Sequence, residues 1–177
     1  MSSAPLNVGT TGRRVFIGKL AGTSVFDPLG EKVGVIHDVV VTFRLNSTAN
    51  VIGFVVEVGP RKRVFLPFTR VTVLEAGSVI TTGLLNIRSF TQRPVETLVI
   101  TELFDREVTM NDGSGAVKIL DVAMQQRRPR DWIISTLHVQ RIRTTTLGFK
   151  RGGTTMTVGV DEVSSLLKTC LLYTSDA

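Results

Sequence analysis

A single cysteine among 177 residues cannot close an internal disulfide, so the chain is not a disulfide-stapled scaffold. No apolar run is long. The stretches at residues 33–41 and 51–58 are broken by a charge, a histidine or a glycine well short of the roughly 18 residues a spanning helix needs. The opening Met1-Ser2-Ser3-Ala4-Pro5 has no positive cluster ahead of an apolar core, so no secretory signal is expected. The expected setting is the cytoplasm, free or peripheral to the inner face of the membrane. Aromatic residues are scarce at 6%, with one Trp and one Tyr, which leaves few platforms for stacking nucleic-acid bases. What is present is 42% hydrophobic and 20% charged residues, a globular composition that excludes wholesale disorder and a collagen-like repeat. The length suits one domain or two small ones.

The formal net charge is +6, which admits an anionic partner such as nucleic acid, a membrane surface or an acidic protein. Residues 1–91 hold 10 Lys+Arg against 5 Asp+Glu, whereas residues 92–177 hold 11 against 10, so the excess sits in the first half. Two basic clusters stand out, Arg61-Lys62-Arg63 and Arg127-Arg128-Pro129-Arg130, each at an expected hairpin turn. Arginine offers bidentate bonding to carboxylate and phosphate, so these residues are the candidate partner contacts, against the alternative of simply solvated turns. Arg130 and Asp131 are expected to pair locally, and Trp132 to be a core residue.

The patterning is that of strands. Residues 14–18 and 23–26 read as short strands, residues 33–44 and 51–58 as a long hairpin, residues 64–67 as a short strand, and residues 71–74 and 78–81 as a further hairpin. Pro67 marks a strand end or an edge. Residues 84–90 read as a single helical turn.

The second half follows the pattern of the first. Val35-Ile36-His37-Asp38-Val39-Val40-Val41 falls against Lys118-Ile119-Leu120-Asp121-Val122-Ala123-Met124, residues 51–58 against 132–139, and residues 66–71 against 158–163. The last match is displaced by an insertion around residues 143–155. Units of this size made of short strands close into small barrels, because closure removes unpaired edges. The expected fold is therefore all-β, two tandem small barrels. A flexible leader is expected over residues 1–12, domains over 13–93 and 94–167, and a non-native or disordered tail over 168–177. The last nine residues hold the only Cys and the only Tyr, continue neither strand pattern and resemble translated adapter sequence, so the native frame is expected to differ beyond about Lys168.

Gly18-Lys19-Leu20, Gly22-Thr23-Ser24-Val25-Phe26 and Gly30-Glu31-Lys32-Val33-Gly34-Val35-Ile36-His37-Asp38-Val39 resemble the opening of a PRC-barrel domain. In the second unit Gly113, Ile119, Asp121 and Val122 follow the same pattern, while Ala116 and Val117 depart from it. Both barrels are PRC-like on this reading. The tandem arrangement is similar to the N-terminal region of actinobacterial proteins that continue into an MgtE-type magnesium-transporter intracellular domain and a CBS pair. That resemblance implies a non-catalytic docking or regulatory module, linked to magnesium transport, whose partner is another protein, the downstream part of the same chain or a membrane transporter. The alternative is an RNA- or ribosome-associated module, like the PRC-barrel of the ribosome maturation factor RimM.

No catalytic constellation is visible: there is no Gly-x-Ser-x-Gly, no phosphate-binding Gly-Lys-Ser/Thr loop and no dinucleotide Gly-x-Gly-x-x-Gly. His37 and Asp38 are strand neighbours that point to opposite faces. Asp38 and Asp121 are expected to be structural, accepting backbone N–H bonds within the barrel. His138 and His37, without a carboxylate or thiolate cluster, make no metal site. Neither enzyme activity, metal nor cofactor is expected.

Overall fold

Branched and aromatic side chains fit a pleated, half-buried surface, and their alternation drives this chain into strands. The structure, a computed structural model, describes residues 13–43, 49–75, 77–82 and 89–164. The leader, the tail and most of the expected helical turn at 84–90 lie outside the described residues.

In the first half β1 (Arg14–Phe16) enters a single helical turn, α1 (Ile17–Leu20), and is followed by β2 (Ser24–Phe26), β3 (Lys32–Thr42), β4 (Asn50–Glu57) and β5 (Arg63–Pro67). A 3-10 turn at Phe68–Arg70 leads to β6 (Val71–Glu75) and β7 (Ser78–Thr81). The second half has β8 (Glu96–Leu98), a π-helical turn at Val99–Leu103, β9 (Glu107–Thr109), β10 (Ala116–Arg128), β11 (Asp131–Thr144) and β12 (Lys150–Gly159), then a 3-10 turn at Val160–Glu162. Pro67 closes β5, which ladders with β4; its other backbone contacts, the bridge of Val64 with Ser89 and the Phe90 N–H donating to the Arg63 carbonyl, lie toward the end of β5 away from Pro67. The insertion anticipated around residues 143–155 is the far part of the β11–β12 hairpin, whose ladder runs out to Thr144 opposite Lys150.

The protein is all-β, as expected. All twelve strands belong to one curled sheet: β6, β7, β2, β3, β4 and β5 make up its first part and β1, β9, β10, β11 and β12 its second, joined where Ile133 of β11 pairs with Asn50 of β4. This is compatible with two small barrels, but each half lends its first strand to the other. β1 pairs antiparallel with β10, Phe16 opposite Ala123, and β8 pairs antiparallel with β3, Val40 opposite Leu98. One continuous apolar core results, running from Val25, Ile36 and Phe54 through to Ile119, Ile134 and Leu137. Its centre is an aromatic chain: the Phe54 and Phe68 ring centroids lie 5.5 Å apart, and those of Phe68 and Trp132 5.8 Å apart. Trp132 is 3% exposed and is the core residue the sequence suggests.

Candidate binding site

The exchange of first strands is locked by the two aspartates. A β-bulge interrupts the β3–β4 register between Ile36 and Asp38, and another interrupts the β10–β11 register between Ile119 and Asp121. Bulges re-aim the side chains beside them. The Asp38 carboxylate is fully buried; Oδ1 accepts from the Val39 N–H (2.8 Å) and the Ile100 N–H (2.7 Å), Oδ2 from the Thr101 N–H (2.9 Å) and the Thr101 hydroxyl (2.7 Å). It therefore holds the π-helical turn of the opposite half. Asp121 does the converse, its Oδ1 accepting from the Val122 N–H (2.8 Å) and from the Gly18 N–H (2.9 Å) in α1. Gly18 is needed for that approach, because a Cβ there would stand 2.7 Å from Asp121 Oδ2. Both aspartates accept backbone N–H bonds, but from partners about a hundred or sixty residues away, where sequence reading looked within one barrel.

The two candidate basic clusters are not brought together. Arg61, Lys62 and Arg63 stand past the end of β4, and Arg127, Arg128 and Arg130 stand near its beginning, where Ile133 meets Asn50. Seven residue steps of strand at ~3.3 Å separate those ends by ~23 Å. Arg61 occupies the left-handed region at φ 62°, and Arg63 Nε lies 3.6 Å from Glu57 Oε2 on an exposed strand pair worth less than about 1 kcal/mol. In the second cluster Asp131 is engaged by Arg127, Nη2 to Oδ2 3.2 Å, instead of by Arg130 as the sequence suggests. The reason is the turn: Arg128 pairs with Asp131, Pro129 and Arg130 alone make the reversal, and Arg130 takes φ 67°. A position of positive φ usually falls to Gly or Asn.

Sequence reading missed what joins this second cluster. Arg14 pairs with Gln125 across the β1–β10 ladder, and the Gln126 N–H donates to the Arg13 carbonyl at 2.9 Å. Arg13 and Arg14 thus stand beside Arg127, Arg128 and Arg130, gathering five arginines at one end of the molecule. More than 110 residues separate the two groups in the chain, and only the strand exchange unites them. The Arg13 guanidinium carbon lies 6.0 Å from the Trp132 ring centroid, within cation–π range, and its Nη2 donates to the Leu74 carbonyl. Arg13, Arg130, Trp132, Phe68, Val71 and Leu74 line a concavity of about 260 Å³ at the seam between the halves. Among the described residues Arg128 and Arg130 have no ion-pair partner.

His138 stands directly across from Asp121 in the β10–β11 register, a carboxylate neighbour that linear sequence did not reveal. No group of three or more His, Cys, Asp or Glu able to hold a metal occurs among the described residues. On the exposed β9–β10 turn the side-chain and backbone hydrogen bonds of Ser114 hold the Asp112 carboxyl below its usual range. Its small contribution to stability is present at neutral pH and is lost as pH falls through that lowered value. No helix among the described residues is long and apolar enough to cross a membrane.

A curled sheet that buries one core between its two parts, with cationic turns at its ends, defines an all-β protein compatible with two small barrels. In comparison with known families, residues 13–84 match the PRC-barrel domain and residues 97–169 match the actinomycetes SH3 domain. Domains of both types are generally non-catalytic binding modules. The second half thus matches an SH3 domain and not a second PRC-barrel, which corrects the expectation of two PRC-barrels. The physical reason is that alternation, a bulged aspartate and a long hairpin are shared by both halves, so strand patterning alone does not separate one small barrel type from another. No curated protein matches the chain.

Proposed function

We propose that this chain is a non-catalytic docking module that takes an acidic protein segment in the seam between its PRC-barrel and SH3 halves. The observation that carries this reading is the convergence of Arg13 and Arg130 with Trp132 in one concavity. At about 260 Å³ it is smaller than the roughly 300–1,000 Å³ of pockets for small molecules and suits one or two side chains of a docked segment. Arg130 supplies a fork for a carboxylate, Arg128 a cation at the rim, and Trp132 with Phe68 and Val71 an apolar floor. Arg61, Lys62 and Arg63 form a separate cationic patch that steers an acidic partner. The setting suggested by resemblance, the front of a longer cytoplasmic protein linked to magnesium transport, would make that segment part of the same chain or of a transporter; its support is the resemblance alone.

Arg130→Gly is the informative substitution, because it removes the guanidinium and relieves a left-handed residue that costs about 1–2 kcal/mol. The variant is expected to melt at the same or a higher temperature while binding a labelled peptide of alternating Asp and Leu at least tenfold more weakly. Unchanged peptide affinity in both Arg130→Gly and Arg13→Ser would exclude the seam as the docking site. Replacing Arg61, Lys62 and Arg63 together by Ser is expected to leave the fold intact, within about 0.5 kcal/mol, and to slow association at low salt with little effect on dissociation. Stopped-flow binding at two salt concentrations checks this. The gathering of five arginines also favours a second reading, RNA binding. Single-stranded RNA that binds with an affinity falling steeply on a log–log salt plot would support that reading over the first.

A further inference from the structure

The outer part of the β11–β12 hairpin is unlike the rest of the molecule. From Gln140 to Thr155 it carries Arg141, Arg143, Lys150 and Arg151 and no acidic residue. Two of these cations are satisfied within the protein: Lys150 Nζ lies 2.8 Å from Glu107 Oε2, and Arg141 Nη1 donates to the Ser114 carbonyl at 3.2 Å. Arg143 and Arg151 are left, and the ladder sets them directly opposite one another. Like charges facing across a strand pair repel, so this arm is locally at odds with itself unless an anion lies between them. Both line a concavity of about 500 Å³, together with Thr144, Thr145 and Gly152.

The tip adds a second, independent feature. The Thr145 N–H donates to the Phe149 carbonyl at 2.8 Å, the Gly148 N–H to the Thr145 carbonyl at 2.9 Å, and the Phe149 N–H to the Thr145 hydroxyl at 3.1 Å, so the reversal is a hydrogen-bonded unit. This unit presents Leu147 and Phe149 outward, 82% and 68% exposed, two of the most exposed large apolar side chains among the described residues.

We propose that the arm is an attachment site for anionic phospholipid, with the headgroup phosphate between Arg143 and Arg151 and with Leu147 and Phe149 inserted among the acyl chains. Along the arm the order is apolar tip, then cations, then body, which matches the order of acyl chains, phosphates and water across a leaflet. A free phosphate explains the arginine pair but not the apolar tip. Nucleic acid fits less well, because Phe149 is the arm's one aromatic and Gln140, its one side-chain amide, is engaged with the Gly153 carbonyl at 3.1 Å. The site is separate from the seam groove, so either can fail alone.

Co-sedimentation of the full chain with vesicles of phosphatidylglycerol and phosphatidylcholine in equal parts tests the proposal, with pure phosphatidylcholine vesicles and inorganic phosphate as comparisons. The chain is expected to bind the anionic vesicles, to bind neutral ones at least tenfold more weakly, and to be released little by inorganic phosphate. Arg143→Ser with Arg151→Ser is expected to weaken binding about 30-fold, from two cations worth about fivefold each near an anionic leaflet. Leu147→Ser with Phe149→Ser is expected to weaken it at least tenfold while Trp132 fluorescence stays native, since both side chains are largely exposed and far along the arm from the core. Vesicle binding unchanged in both double variants, full displacement by inorganic phosphate, or tight binding to duplex DNA in place of vesicles would each overturn the proposal.

Discussion

Asp38→Ala is expected to destabilise the protein by about 3–5 kcal/mol. The carboxylate is fully buried and accepts four hydrogen bonds, three of them from the turn that follows β8 in the opposite half. Removing it strands the N–H groups of Val39, Ile100 and Thr101, and each buried donor left unpaired costs about 1–3 kcal/mol. The partial exposure of Ile100 and Thr101 keeps the total below the simple sum. Asp38→Asn offers one good acceptor where two are needed and points an NH₂ at an N–H, so it is expected to recover only part of the loss. Asp121→Ala, which strands fewer donors at a half-buried position, is expected to cost about 1–2 kcal/mol. Urea unfolding measures the three values, and amide exchange adds a local readout: Ile100 and Thr101 should lose protection in Asp38→Ala before the core does. Retained protection at both amides, with a loss under about 1 kcal/mol, would show that the strand ladder alone holds the exchanged segment.

Trp132→Ala is expected to be comparably damaging, about 3–5 kcal/mol, with a melting temperature lower by roughly 10 °C. The indole sits between the halves, its ring tilted against Phe68 and through it toward Phe54, with the Arg13 guanidinium over its face. A methyl group in its place leaves a cavity that β-sheet on both sides is poorly able to close. Trp132→Phe keeps an aromatic against Phe68 and is expected to cost about half as much. If calorimetry instead shows two separate transitions in Trp132→Ala, with one at the wild-type temperature, the halves do not depend on each other through this residue.

Much of the architecture is legible in the residues themselves. Val, Ile, Thr and Phe alternate wherever β3, β4, β10 and β11 run, and Pro67 ends its strand because proline cannot continue a ladder. The displaced third match places the insertion where the structure puts the basic arm; Lys150-Arg151-Gly152-Gly153 has no helix pattern after it and so reads as no phosphate loop, and nothing in the sequence marks Leu147 and Phe149 as exposed. Local chemistry explains that success: pleat periodicity and turn residues act over a few positions, and a few positions are what a sequence displays.

The partners of those elements are a different matter. Nothing near Arg13 in the chain indicates that β1 leaves its own half to pair with β10, so the gathering of Arg13 and Arg14 with Arg128 and Arg130 was out of reach. Asp38 reads correctly as an acceptor of backbone bonds, because a carboxylate in an apolar strand has no other tolerable state. That its donors are Ile100 and Thr101 follows only once the strand exchange has carried the other half's turn to it. The sequence by itself determined an all-β chain, the positions of its long hairpins and the residues available for binding an anion. The tertiary structure decided which of them meet, because pairing between strands far apart in the chain is selected by mutual burial and complete hydrogen bonding, and neither is a property of any one segment.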